Sequence, residues 1–298
     1  MPSSPEFEVG GHADGRGERM AGKAALVTGA GSSGDFLGTG AATAILLAAQ
    51  GATVGVVDIN DERAEHTRKR IQAAGGQAVA LTADITDEQA ARIAVDDFTD
   101  RAGHLDVLVN NAGISGEGNI TGTTRAGWDR VFALNVTAAM QVARAAHPHL
   151  VRSSGGSVVN ISSIAALRGF GSGAYAASKG ALQSMTIDLA YSWGPDNIRV
   201  NCLVPGHLYT PIGDHGGEEG RRMRRAANLL GAEGTAWDLA WAVLFLASAE
   251  SRWITGTVLP VDAGTTTATV LGMLPRIAGS QGKDNNEQQP VREPQSRR

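Results

Sequence analysis

Seven short apolar runs rich in β-branched and small residues, at 24–27, 53–57, 78–81, 107–109, 157–161, 199–204 and 257–261, alternate along this chain with amphipathic segments such as 61–74, 87–102 and 237–247. A strand that is apolar along its whole length, rather than at every second residue, is buried on both faces. Strand then helix, repeated, therefore predicts a parallel sheet covered by helices on both sides and joined by right-handed crossovers. No break in composition separates the runs, so the chain is expected to form one doubly wound α/β domain with a seven-stranded sheet. Ligands of such sheets sit outside the carboxyl ends of the strands, which is where the chemistry is to be sought.

Composition narrows the partners. Hydrophobic residues make up 42% of the 298 residues, charged residues 19%, and the net charge is −4. That balance gives no reason to expect nucleic acid or an anionic membrane, and no window approaches the ~18 apolar residues of a membrane span. The single cysteine, Cys202, excludes an internal disulfide or a cysteine metal cluster; it fits a reducing cytoplasm and reads as a small buried strand residue. His207, His215 and the other histidines lack partners at metal-ligand spacing, so no metal is expected and they read as structural or solvated. Residues 1–20 lack the apolar core of a signal peptide and read as a disordered extension.

The first run ends in Thr28 and Gly29 and leads through a glycine-rich turn, AGSSGDFLGTG, into an alanine-rich helical pattern. Such a turn lets a pyrophosphate approach backbone N–H groups at a helix N-terminus. Two registers compete. Gly29, Gly31 and Gly34 fit the literal GxGxxG spacing; Gly29, Gly38 and Gly40 place the turn directly before a helix opening at Thr39. The second is preferred, which makes 33–37 a five-residue insertion with Asp35 aimed away from the phosphates. The second run closes with Asp58, whose carboxylate can accept from a ribose 2′-OH and repels a 2′-phosphate. NAD(H) is therefore favoured over NADP(H), although Asp58 could also serve as a turn or cap residue.

The stretch from Asn160 to Lys179, NISSIAALRGFGSGAYAASK, sets Ser162 and Ser163 thirteen and twelve residues ahead of Tyr175, with Lys179 four residues after it. The spacing of apolar residues predicts a helix over 173–193, so Tyr175 and Lys179 share a face. A free phenol has a pKa of ~10, and a neighbouring ammonium favours its anion. With a serine hydroxyl to hold a carbonyl oxygen, these groups make a proton-transfer site for alcohol/ketone chemistry. A half-buried tyrosine beside a solvated lysine is the plainer alternative.

Taken in order, Thr28-Gly29 with Gly38 and Gly40, Asp58, Asp84, Asn110-Asn111-Ala112-Gly113, Asn135, Ser163, Tyr175, Lys179, Pro205-Gly206, Thr255-Gly256 and Val261-Asp262-Ala263-Gly264 resemble the short-chain dehydrogenase/reductase family in its compact single-domain branch, over about residues 22–265. The resemblance implies a Rossmann-like fold. It implies that Gly29, Gly38, Thr39 and Gly40 bind the cofactor, that Asp84 and Ile85 border the adenine, and that Asn111, Ala112 and Gly113 wall the cofactor. It further implies that Asn135 holds a water linking Lys179 to solvent, and that Lys179 binds the nicotinamide ribose and lowers the pKa of Tyr175, the acid/base. The resemblance likewise implies that Ser163 polarises the carbonyl, with Ser162 as the runner-up, and that Leu208 and Thr210, just after Pro205 and Gly206, touch the carboxamide.

The expected activity is NAD(H)-dependent interconversion of a secondary alcohol and a ketone, with a homotetramer or homodimer implied by resemblance. An NADPH-dependent 3-oxoacyl thioester reductase and a non-catalytic dinucleotide-binding regulator are the rivals. Expected boundaries are a domain over 21–265, a glycine-rich substrate lid over about 207–230, and an extension over 266–298 whose last twenty residues are disordered. In the lid, Arg221, Arg222, Arg224 and Arg225 read as a solvated face paired with Glu218 and Glu219, or as a carboxylate or phosphopantetheine site. Val270, Leu271, Met273 and Leu274 are apolar enough to pack on a neighbouring subunit.

Overall fold

The computed structural model describes residues 17–279 apart from 154, 212, 214 and 215. Its first half runs β1 (Ala24–Thr28), α1 (Thr39–Ala49), β2 (Thr53–Asp58), α2 (Asp61–Ala73), β3 (Gln77–Thr82) and α3 (Glu88–Ala102). The second half runs β4 (Val107–Asn110), α4 (Arg125–Phe132), α5 (Ala139–Arg152), β5 (Gly156–Ile161), α6 (Gly173–Trp193) and β6 (Ile198–Pro205), with a π-helical segment, Ala133–Ala138, joining α4 to α5. A small pair of strands, β7 (Leu208–Tyr209) and β8 (Gly234–Thr235), brackets α7 (Gly217–Ala226), and α8 (Ala236–Ala247), β9 (Val258–Val261) and α9 (Val270–Gly279) follow. The main sheet has seven strands in the order β3-β2-β1-β4-β5-β6-β9, and every neighbouring pair is parallel.

Why the strands are apolar throughout follows from where their alternate residues go. Ala25 and Val27 of β1 join the core beneath α1 and α8, while Ala24 and Leu26 face α3 and α5 on the other side. The period of two is intact, but both faces are dry. At Gly55 in β2 the sheet yields to a helix: a Cβ there would lie 2.5 Å from Leu26 Cδ1 and 2.7 Å from Phe98 Cδ2, because the fully buried Phe98 ring of α3 rests on the bare backbone.

Three expectations shift. Gly17 to Met20 belong to the domain and not to the extension: the Gly17 N–H donates to the Ala49 carbonyl (3.1 Å), the Met20 N–H donates to that of Gln50 (2.8 Å), and the Met20 side chain is buried. The remaining expected disorder, at 1–16 and 280–298, lies outside the described residues. The segment 207–230, whose sequence reads as a loop through Gly220 and a helix from Arg221, is helical from Gly217, because left-handed Gly216 turns the chain and Glu218 and Glu219 fall in the first turn, where carboxylates oppose the helix dipole favourably. Met273 is buried in its own chain, whereas Val270, Leu271 and Leu274 of α9 remain exposed.

Truncating the ring on which β2 and α3 meet should be costly. Phe98→Ala is expected to lower the unfolding free energy by about 3–5 kcal/mol, read from the urea midpoint at constant slope. A loss below about 1 kcal/mol would mean that the Gly55 backbone does not depend on this ring.

Candidate active site

The carboxyl edge is built from the end of β1 outward. The Thr28 hydroxyl donates to the Val109 carbonyl (3.4 Å) and accepts the N–H groups of Asn111 and Ala112 (both 3.1 Å). Asn111 returns the contact, its amide donating to the carbonyls of Thr28 (3.0 Å) and Gly29 (3.1 Å) and its carbonyl accepting from the Thr39 hydroxyl (2.7 Å). The turn must be glycine where these pieces touch. Gly29 has φ +63°, and a Cβ on it would lie 2.8 Å from Ala112 Cα; a Cβ on Gly40 would run into the Gly29 carbonyl oxygen and the Asn111 amide. Helix α1 opens at Thr39 behind Gly38, the register preferred from sequence. Gly31, the residue of the rejected register, is also confined, since a Cβ would sit 2.6 Å from the Asp58 carboxylate.

This turn suits a pyrophosphate. Helix α1 begins with no capping side chain and no acidic residue in its first turn, whereas α2 is capped by Asn60 and α3 by Asp87. Its first N–H groups are left for an anion. Asp58, at the end of β2, accepts the N–H of Gly31 at Oδ2 (3.1 Å) and of Asn60 at Oδ1 (3.0 Å), so the carboxylate is fixed beside the turn with lone pairs to spare. Asp84 lies on the loop after β3, where its carboxylate accepts from the Thr86 N–H (3.0 Å) and hydroxyl (2.6 Å), and Ile85 beside it is buried.

Tyr175, Lys179 and Ser163 converge beyond β5. Helix α6 carries Tyr175 and Lys179 one turn apart, and the Lys179 ammonium lies 5.7 Å from the centre of the phenol ring. Lys179 is buried and donates to the Ile161 carbonyl (2.8 Å). Burial lowers its pKa from 10.5 to about 8, so at neutral pH it is still largely charged. Burial likewise pushes the Tyr175 phenol above its ordinary value, and a hydrogen bond with Ser163 offsets this only in part. The sequence reading has Lys179 drawing the phenol down; the net direction is upward, because desolvation is the largest influence.

The two serines part company. Ser162 is buried, donates to the Lys179 carbonyl (2.7 Å) and accepts from the Gln183 amide (3.1 Å), so its hydroxyl is spent on α6. Ser163 is the one beside the phenol. Asn135 sits in the π-helical segment, fully buried, with its carbonyl accepting the Ile114 N–H (2.9 Å) and its amide donating to the Ile114 carbonyl and the Ser178 hydroxyl (both 3.0 Å). Ser178 in turn donates to the Tyr175 carbonyl (2.7 Å). Gly113 completes the group: a Cβ there would be 3.2 Å from both Lys179 Nζ and Asn135 Oδ1.

Past β6, Gly206 is pressed against Asp262, whose Cα would be 2.7 Å from an added Cβ, and Pro205 pairs with Val261. Leu208 pairs with Gly234, and Thr210 is buried in a tight turn with Gly213. Two contributors escaped the sequence reading. Ser178 stands three residues after Tyr175, the helical spacing at which a hydroxyl reaches back to a carbonyl. His207, read as structural or solvated, stacks on Phe170 of the loop between Ser163 and Tyr175 (5.5 Å), and burial, then the Arg224 charge, hold its imidazole below its ordinary pKa.

Comparison with known proteins fits this geometry. A family model described as enoyl-(acyl carrier protein) reductase matches residues 36–266. The 2,5-dichloro-2,5-cyclohexadiene-1,4-diol dehydrogenase LinX of Sphingobium indicum is 37% identical over 247 residues, which cover 83% of this chain and 97% of that protein. The chain belongs to the short-chain dehydrogenase/reductase family. As a short-chain dehydrogenase/reductase it is an oxidoreductase acting on CH–OH groups with a nicotinamide dinucleotide. The 3-oxoacyl-[acyl-carrier-protein] reductase FabG of Thermotoga maritima is 34% identical, covering 83% of this chain and 98% of that one. Among solved structures, a 7α-hydroxysteroid dehydrogenase complexed with NADH and 7-oxo glycochenodeoxycholic acid superposes with a TM-score of 0.77 at 34% identity, over 83% of this short-chain dehydrogenase/reductase and 95% of that chain.

The buried ammonium has a measurable signature. Folding lowers the Lys179 pKa, so its charged form is disfavoured in the native state below about pH 8 and that cost is relieved as the pH rises from about 8 towards 10.5. Relative to Lys179→Met, the wild type is expected to gain on the order of 2 kcal/mol of unfolding free energy between pH 7 and pH 9.5, measured by urea denaturation at both. An unchanged difference would mean that Lys179 titrates at its ordinary value.

Proposed function

We propose that this enzyme interconverts a secondary alcohol and a ketone with NAD(H), using Tyr175 as the acid/base. The observation that carries the reading is the meeting of Ser163, Tyr175 and Lys179 beside Gly113, beyond the glycine turn and Asp58. When bound, the dinucleotide supplies or accepts the hydride. Gly29, Gly38, Thr39 and Gly40 hold its pyrophosphate, Asp58 its adenine ribose, Asp84 and Ile85 flank the adenine, and Asn111, Ala112 and Gly113 form the wall. Pro205, Gly206, Leu208 and Thr210 close the nicotinamide end.

In reduction the Tyr175 phenol donates its proton to the forming alkoxide; in oxidation the phenolate takes the proton of the alcohol. The Ser163 hydroxyl, beside that phenol, holds the substrate oxygen in line. The Lys179 ammonium stabilises the phenolate that burial alone opposes, and Asn135 fixes the Gly113 segment against α6 through Ile114 and Ser178. Asp58 favours NAD(H), because a second anion on the ribose would face an immobile carboxylate at the turn.

A second reading has a specific observation in its favour. FabG of Thermotoga maritima, 34% identical to this chain, is named as a 3-oxoacyl-[acyl-carrier-protein] reductase, so a thioester-linked β-ketone is the alternative substrate. LinX is named for a ring diol, and a cyclic secondary alcohol is the substrate class we favour.

Two variants test the scheme. Tyr175→Phe is expected to retain reduced-dinucleotide binding by fluorescence titration yet lose about 10²–10⁴-fold in turnover against a panel of cyclic alcohols and ketones; retained turnover would sink Tyr175 as the acid/base. Asp58→Ala is expected to weaken NADH affinity about tenfold or more while leaving NADPH affinity equal or improved. An unchanged NADH-to-NADPH ratio would refute the assignment of Asp58.

A further inference from the structure

The five-residue insertion at 33–37 does more than lengthen the glycine turn. Asp35 is held outward by Arg70 of α2 (2.9 Å), and Leu37 is buried. Between them Phe36 meets the ring of Tyr209 in β7, with centroids 4.6 Å apart and planes inclined at 41°. The Arg221 guanidinium covers Tyr209, its Cζ 4.3 Å from the ring centroid. Arg221 is itself fixed by Glu233 (2.7 Å), a carboxylate only 6% exposed that Arg224 also engages (2.8 Å). An insertion next to the phosphate turn is thus stacked onto the substrate lid.

Strand order gives this contact its meaning. The insertion leaves the sheet at the end of β1 and the lid leaves it at the end of β6, while β4 and β5 lie between them. Three strand spacings of ~4.8 Å separate the two departures by about 14 Å. The Phe36–Tyr209 contact therefore bridges the carboxyl ends of β4 and β5, the edge that carries Asn111 to Gly113 and Ser163. A dinucleotide running from Asp58 and the glycine turn to Tyr175 and Lys179 lies along that edge.

We infer that the Phe36–Tyr209–Arg221 stack is a clasp closed across the dinucleotide crevice, so that Phe36 and Tyr209 set the rate at which the cofactor exchanges. The inference rests on the dinucleotide reading above. Phe36 and Tyr209 act by retaining the bound molecule; neither takes part in proton transfer. Because the clasp joins the turn to the lid, opening it for cofactor exchange also loosens the cover over the substrate.

Exchange is read by stopped-flow fluorescence, with protein preloaded with NADH, or with NADPH if the wild type binds that instead, and chased with excess oxidised dinucleotide. Phe36→Ala and Tyr209→Ala are each expected to speed departure by about 3- to 10-fold, the range of one aromatic pair. The double variant should be no faster than the faster single, and Phe36→Tyr should restore the slow rate. Phe36 is 40% exposed, so its removal leaves the core intact, and Phe36→Leu carries the same prediction if the alanine variant folds poorly. Wild-type rates in both single variants, or multiplying effects in the double, would overturn the clasp. A wild type that binds neither reduced dinucleotide would remove the dinucleotide reading first, and the clasp with it.

Discussion

The Asn111 side chain is the pin on which the site turns. It donates to the last carbonyl of β1 and the first of the glycine turn, and accepts from the first residue of α1. Thr28 reciprocates from below, accepting two N–H groups of the segment after β4. At this point strand order reverses, β1 being followed on one side by β2 and on the other by β4, and backbone groups at such a divergence would otherwise lack ladder partners. One amide and one hydroxyl satisfy them. The consequence is a turn whose N–H groups are aimed before any ligand arrives, with Gly29 and Gly40 bare because the Asn111 segment and the turn's own backbone occupy the space of their Cβ atoms.

A second constraint acts further along the carboxyl edge, where a buried ammonium and a half-buried phenol share one turn of α6. Each is disfavoured in its charged form by desolvation, in opposite senses: the lysine is pushed down to about 8 and the tyrosine up. The lysine shift brings its titration towards neutral pH, whereas the tyrosine shift moves the phenol away from it, so deprotonating Tyr175 depends on a neighbouring charge to offset burial. Position is enforced by polar ties that apolar packing could not supply. Ser162 holds the Lys179 carbonyl, Ile161 the ammonium, and the Asn135–Ser178 pair the carbonyl of Tyr175. Asn135 lies in a π-helical segment, and such a segment re-aims a side chain that a regular helix would direct elsewhere.

Much of this was legible in the sequence, for identifiable reasons. Strands buried on both faces leave unbroken apolar runs, and α6 was visible as a periodic pattern with Tyr175 and Lys179 on one face. The glycine register could be chosen because an alanine-rich helix must begin directly behind the turn, and it begins at Thr39. The choice between Ser162 and Ser163 was harder. Adjacent residues at a strand end point to opposite sides, so one is spent in the core and the other faces the phenol, and the sequence does not say which. The direction of the Tyr175 shift depends on burial, which neighbouring residue types do not reveal. The contact of Phe36 with Tyr209 was out of reach, since it joins distant segments with no shared period.

Helix α7 follows a different logic from the sheet and the helices packed on it. Helix α7 buries none of its residues; Arg221 and Arg224 grip Glu233, and Arg222 and Arg225 pair with Glu219 and Glu218 on the surface. The arginines thus divide between the solvated face read from sequence and an inner carboxylate that no helical spacing disclosed. A carboxylate as enclosed as Glu233 would be strongly destabilising without its cations, so the pairing fixes where α7 sits. Yet an element held by charge and one aromatic stack can be displaced without opening a cavity in the core, unlike α1 or α8, whose apolar faces are locked against the sheet. Apolar packing thus fixes the sheet and the helices laid on it, while polar contacts hold α7, the element most easily displaced.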